Sequence, residues 1–122
     1  MTTRGIRGAI TVAADQPELI LAATQELLGA ILRANPGLHA EDIACVLFTT
    51  TDDLLSVYPA LAARQIGWQQ VPMMCAREIP VPGSLARCVR VLVEWNTDLI
   101  QNAIKHVYLR DAVSLRPDLL VP

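Results

Sequence analysis

One stretch of the chain has the length and patterning of a substantial helix, against five stretches of strand character, and that imbalance constrains the fold more than any other feature. The helix opens near Asp15, an N-cap candidate, with Pro17 and Glu18 in its first turn, and Asn35-Pro36-Gly37 stops it. Within it Ile20, Ala23, Leu27 and Ile31 recur at three- and four-residue steps and form one apolar stripe. A single striped helix covers one face of a sheet. The other face needs a partner, and another copy of the same chain is the nearest source.

The strands are read from alternation. From Arg4 to Val12, Ile6, Gly8, Ile10 and Val12 fall on one side, with Arg7, Ala9 and Thr11 on the other. After a polar turn at His39 to Asp42, Ile43 to Thr50 is a continuous apolar run, expected to be covered on both faces. Thr51, Asp52 and Asp53 make a turn, and a short helix follows from Pro59 to Gln65, ended by Gly67. Val71 to Met74 reads as a short strand, and Pro80 with Pro82-Gly83 marks a loop. Arg87 to Trp95 alternates again, Val89, Val91, Val93 and Trp95 against Cys88, Arg90, Leu92 and Glu94. Thr97 and Asp98 are expected to cap a short helical turn through Ile104, and His106 to Leu109 is a last strand before a tail. The order predicts an α/β (α+β) fold, a mixed sheet of five strands with one long helix, in a single domain over residues 1–122.

Composition narrows the function. With 52% apolar and 18% charged residues the chain is not disordered, and the apolar surplus favours burial between subunits. A net charge of −2 excludes binding to nucleic acid or an anionic membrane by bulk electrostatics. The longest run free of charged side chains, Gln65 to Ala76, is 12 residues, too short to span a bilayer. Cys45, Cys75 and Cys88 are odd in number and lack C-x-x-C spacing, against a disulfide framework or a zinc site. With no basic-then-apolar leader pattern, the expectation is a reduced, cytoplasmic protein.

Nine of the ten basic residues are arginines and only Lys105 is a lysine. Genome composition or thermal adaptation produces such a bias; so does a need to hold planar anions through two parallel hydrogen bonds. Arg7 and Arg90 sit mid-strand among apolar neighbours. A guanidinium there pairs with an acid such as Glu78 or Glu94, stays wet at an edge, or awaits an anionic ligand. Glu78, three residues after Cys75, reads equally as a solvated loop acid, Cys75 as a small core residue and Tyr108 as a packed aromatic. Trp68 and Trp95 read as core, and His106 has no second histidine at ligand spacing, so no metal site is expected. The G-x-S-x-G, G-x-G-x-x-G and H-E-x-x-H patterns are missing, and Cys75 has no local signature of a thiol nucleophile.

Several blocks taken together resemble one family. Arg4-Gly-Ile-Arg7-Gly-Ala, Tyr58-Pro-Ala with Arg64, Gly67-Trp-Gln with Val71-Pro, and Cys75-x-x-Glu78 look like the AroH-class chorismate mutases. So do Cys88-Val-Arg90-Val, His106-Val-Tyr108-Leu and Leu115-Arg116-Pro117-Asp118-Leu119, and the blocks run in order from Arg4 to Leu119. The resemblance implies a homotrimeric pseudo-α/β-barrel with active sites between adjacent subunits. It implies the Claisen rearrangement of chorismate to prephenate, on the route to phenylalanine and tyrosine, with no metal or cofactor. A concerted [3,3] shift requires no nucleophile, which fits the missing motifs; rate comes from holding the reactive conformer and matching charge at the breaking ether bond.

By the same resemblance Arg90 contacts the ether oxygen and a carboxylate. Arg7 and Tyr108 bind the enolpyruvyl carboxylate, and Glu78, with Cys75 beside it, accepts a hydrogen bond from the ring hydroxyl. Tyr58 packs on the substrate, and Arg64, Leu115 and Arg116 line the mouth. A mobile tail from about residue 112 closes over the site. Two positions depart from the family pattern. Leu61 stands where a lysine occurs near the entrance, and Met74, among the substrate-binding positions, where threonine is common. The rival readings are a RidA-like imine deaminase and a non-catalytic metabolite-binding trimer.

Overall fold

The computed structural model describes residues 1–116. Five strands, β1 (Thr2–Thr11), β2 (Ile43–Thr50), β3 (Met73–Arg77), β4 (Cys88–Thr97) and β5 (Val107–Leu109), form one sheet in the order β3-β2-β4-β1-β5. The sheet is mixed. β4 runs antiparallel to both β1 and β2, while β3 and β5 pair in parallel at the two edges. Helix α1 (Pro17–Ala34) lies across one face, helix α2 (Ala60–Gln65) is short, and three 3-10 turns complete the described residues at Ala40–Asp42, Gln101–Ala103 and Arg110–Leu115.

The core forms between α1 and that face. Ile20, Leu27, Leu28 and Ile31 of the helix stripe are fully buried, and so are Ile6, Ile10, Phe48, Val89 and Val93 of the strands. Trp68 and Trp95 belong to this core, as their sequence context predicts. Gly8 sits where α1 crosses β1, and a Cβ there would meet Ile31 Cδ1 at 2.9 Å. The alternating residues of β4 behave as two faces: those on the helix side are buried, while Arg90, Leu92 and Glu94 are only half covered.

Four expectations are corrected. Ile43 to Thr50 is not covered on both faces within one chain: Leu47 is exposed and Cys45 and Thr49 half-buried, because α1 covers only one side. Asp15 does not cap α1. Its Oδ1 accepts the backbone N–H groups of Leu55 (3.0 Å) and Ser56 (3.1 Å), and the helix starts after Gln16, with Pro17 at its first position. The third strand is displaced from Val71–Met74 to Met73–Arg77, since Pro72 has no N–H to donate and pairing to β2 runs on to Thr50↔Arg77. Thr97 is still strand, and the helical turn after it is confined to Gln101–Ala103. Near residue 112 the chain makes a 3-10 turn that buries Ala112; Pro117, Asp118, Leu119 and the rest of the expected tail lie outside the described residues.

Candidate active site

The sheet face turned away from α1 carries Arg7, Arg90 and Tyr108 among the candidate residues. Paired residues on neighbouring strands point to the same side, so Thr49, Arg90, Ala9 and Tyr108 form one row across β2, β4, β1 and β5. Ala9 lies between Arg90 and Tyr108, which stand two strand spacings apart, about 10 Å, and it is fully buried in a small cluster with Cys88, Tyr108 and Ala112.

Arg90 is held but not satisfied. Its Nε is buried, lies 3.8 Å from Glu78 Oε2, and has no hydrogen-bond partner. Glu78, just beyond β3, donates its backbone N–H to the Thr50 carbonyl at 2.9 Å, and its Oε2 accepts from Thr49 Oγ1 at 2.5 Å. Of the two acids considered for Arg90, Glu94 is engaged elsewhere, accepting from the Cys45 thiol at 2.6 Å. That bond, with burial and the carboxylate charge, raises the Cys45 thiol above its ordinary pKa. Burial also pushes the neighbouring Cys88 thiol up, against the Arg90 charge. The Tyr108 hydroxyl is the second buried polar atom without a partner. An unsatisfied guanidinium nitrogen and phenol cost free energy in a closed protein. Here both stand on the one row that points away from the core.

Arg7 lies on the same face, one pair further along, opposite Leu92. Its backbone N–H donates to His106 Nδ1 at 2.9 Å, which fixes that nitrogen as an unprotonated acceptor. His106 is accordingly held below the usual histidine range, first by burial, then by the charges of Arg116 and Arg7. The charge of Arg116 is thus felt at His106. Leu115 packs with Tyr108, Cys88, Ala9 and Ala112 in a small apolar cluster. Arg7, Glu78, Arg90, Tyr108, Leu115 and Arg116 therefore share one side of the sheet or its adjoining margin. A cavity of about 260 Å³ opens beside Arg90, lined also by Glu78, Thr51, Ile79 and Leu85 but not by Arg7, Tyr108, Leu115 or Arg116.

The remaining candidates lie apart. Cys75 pairs with Phe48, so it faces the helix side, and with the exposed Tyr58 it lines a different cavity of about 520 Å³ with Leu54, Val57 and Arg77. Cys75 does not line the Arg90 cavity, in contrast to the placement beside Glu78 that the resemblance implies. Arg64 is exposed on α2, and Met74 is exposed on the edge strand β3. Met74, Leu47, Leu92 and Arg7 occupy successive strands of one row, so Met74 and Arg7 are three strand spacings apart, roughly 14 Å. Thr49, and the part played by His106, escaped sequence reasoning. The first holds Glu78 and the second holds the Arg7 backbone, and both roles depend on cross-strand register, which only the fold supplies.

Among the described residues no group of three His, Cys, Asp or Glu side chains is placed to hold a metal, and no helix is long and apolar enough to cross a membrane. Comparison with other proteins places the chain. The family model for chorismate mutase type I matches residues 3–119. A chorismate mutase AroH from Thermus thermophilus is 60% identical over 116 residues, covering 95% of each chain. A chorismate mutase AroH from Bacillus subtilis is 47% identical over 120 residues, covering 98% of this chain and 94% of its own. The solved structure of a chorismate mutase from Clostridium thermocellum superposes with a TM-score of 0.87 at 46% identity, covering 90% of this chain and 97% of that one. These relatives lend no support to the imine deaminase reading. With a five-stranded mixed sheet, a helix on one face and an unsatisfied arginine on the other, the chain belongs to the chorismate mutase type I family.

Proposed function

We propose that this protein is an isomerase that converts chorismate to prephenate. The observation that carries the reading is the buried, unpartnered Arg90 Nε beside the Thr49-anchored Glu78, on a sheet face that also presents Arg7 and the free Tyr108 hydroxyl. Chorismate carries two carboxylates and an ether bond; the site offers two guanidiniums, a phenol and one carboxylate.

Arg90 is the catalytic cation. Negative charge grows on the ether oxygen as the C–O bond breaks, and a guanidinium already fixed there stabilises that charge more in the transition state than in the substrate. Arg7 and Tyr108 take the side-chain carboxylate, which keeps the enolpyruvyl arm folded over the ring and removes part of the entropic barrier. Glu78 accepts the ring hydroxyl proton in a hydrogen bond and favours positive charge on the ring carbons. Thr49 fixes the Glu78 oxygen that performs this task. No proton is transferred and no covalent intermediate forms.

The active unit is a homotrimer with each site shared by two subunits. Met74 stands three strands from Arg7, and Cys75 and Tyr58 line a cavity that Arg90 does not, so these residues, with Arg64, serve the site of a neighbouring copy. Leu115 and Arg116 close the mouth on the Tyr108 side. The three cysteines are free, in keeping with work in the reducing cytoplasm. The domain spans the whole chain.

The test is the loss of chorismate absorbance with purified protein and no added metal or cofactor. The unaltered chain consumes chorismate, and Arg90→Ala lowers turnover by about two to three powers of ten, as expected for one missing oxyanion donor. No consumption by the unaltered chain overturns the reading. Consumption by Arg90→Ala at the unaltered rate overturns the role of Arg90.

A further inference from the structure

Two non-glycine residues among those described have left-handed backbone, and both are arginines: Arg87 (φ 48°) and Arg110 (φ 55°). Residues with a Cβ avoid this conformation, so two instances of one residue type call for a common cause. Their positions supply it. Arg87 immediately precedes β4 and Arg110 immediately follows β5, the two strands that flank β1. Arg87 Nε donates to the Val12 carbonyl at 3.1 Å, and Arg110 Nη1 donates to the Thr11 carbonyl at 3.0 Å. The two guanidiniums thus grip consecutive carbonyls at the end of β1, one from each side. A side chain on an extended strand stands away from the sheet plane; the left-handed turn lets each guanidinium lie across the strand end instead.

Both turns are tied down. The Arg87 N–H donates to both Asp53 carboxylate oxygens, at 3.1 and 3.0 Å, and its carbonyl accepts the Val12 N–H at 2.8 Å. Arg110 Nη2 pairs with Glu26 of α1 at 2.9 Å, and the Asp111 N–H donates to Thr11 Oγ1 at 3.3 Å. The clamp is close to the chemistry. Arg90 is three residues after Arg87, Tyr108 is two residues before Arg110, and both pair with Ala9, two residues before Thr11.

We propose that Arg87 and Arg110 are positioning residues, a pair of strand-end clamps that hold β4 and β5 in register on β1 and so set the spacing between Arg90 and Tyr108. The inference rests on the chorismate mutase reading for its kinetic signature. Arg87 acts through the residue that meets developing charge, so its loss falls on kcat. Arg110 acts through a residue that binds a carboxylate in the ground state, so its loss falls on KM.

Glycine accepts the left-handed turn and removes the guanidinium, so Arg87→Gly and Arg110→Gly test the clamp without backbone strain. Arg87→Gly is expected to lower kcat by about tenfold or more with KM within about threefold; misplacement by an ångström suffices for such a loss. Arg110→Gly is expected to raise KM by about tenfold with kcat within about threefold. Hydrogen exchange at the Val12 amide, which needs no turnover, is expected to quicken in Arg87→Gly. Failure of the unaltered chain to consume chorismate refutes the functional reading, whereas the exchange measurement still judges the clamp. Faster exchange with unchanged kinetics, or matching changes of kcat and KM in both variants, overturns the inference. Should a glycine variant not fold, Arg87→Lys and Arg110→Lys replace it, and kinetics equal to those of the unaltered chain again overturn it.

Discussion

Arginine serves two purposes in this chain. Arg4 Nε donates to the Leu99 carbonyl at 3.1 Å, and Arg87 and Arg110 donate to carbonyls at the end of β1, so three of the nine fasten backbone, Arg110 pairing with Glu26 as well. A lysine ammonium on a flexible stem lacks the planar fork that makes such bonds directional. The arginine bias visible in the sequence is thus partly architectural, while Arg7 and Arg90 stood out because a charge mid-strand among apolar neighbours is costly without a partner. His106 carries a residue-scale prediction. Its Nδ1 must stay unprotonated to accept the Arg7 N–H, and its pKa in the fold lies below the ordinary value. The unfolded chain therefore takes up a proton at His106 before the folded one does. Stability contributed by the neutral ring is complete above about pH 6.5 and falls away as pH drops toward the lower folded value. His106→Asn keeps an acceptor that does not titrate. Urea unfolding between pH 7 and pH 5 is expected to show a shallower loss of stability in this variant, and equal slopes would remove the assignment.

At the scale of elements, β1, β4 and α1 were legible because each turns its large apolar side chains to one face along most of its length, so alternation or a three-four stripe survives in the residues. β3 was legible as an element but not in its bounds, since Pro72 interrupts donation just where the apolar residues begin. Asp15 offered a sound capping signal that the fold overrode by giving its carboxylate to the loop amides of Leu55 and Ser56, which precede Tyr58. Hydrogen bonds from Ser56 and the Leu55 amide keep the Asp15 carboxyl below its ordinary pKa. Gly8 provides the element-scale test. A Cβ at that position would lie 2.9 Å from Ile31 Cδ1, 3.2 Å from Leu27 Cδ1 and 3.2 Å from the Val107 carbonyl, and that last neighbour is backbone. Gly8→Ala is expected to push α1 from the sheet and destabilise the fold by about 1–3 kcal/mol, the usual range for overpacking. A lower urea midpoint at unchanged slope is the measure; an unchanged midpoint means that α1 accommodates the methyl freely.

For the whole molecule, one helix against five strands set the problem, and the open face answers it. Leu47, Leu92 and Met74 form an apolar row on the side α1 does not reach, continuous with Arg7, and Leu47 and Met74 remain exposed in a single chain. The division of the candidate residues between this face and the Tyr58–Cys75 cavity was not legible in the sequence, because motif order says nothing about which side of a strand each residue occupies. Leu47 is well suited to test the trimer. It points away from the core, so Leu47→Glu leaves the α1 packing intact and the circular dichroism unchanged, yet places a carboxylate on each copy of the proposed contact. Burying such a charge without a partner costs several kcal/mol, enough to disperse the assembly. Light scattering is expected to give the mass of three chains for the unaltered protein and one for Leu47→Glu. Turnover of chorismate should fall by about a hundredfold or more as the second half of each site departs. A variant that stays assembled shows that this face does not lie between copies, and a dispersed variant with full activity shows that one chain holds the complete site.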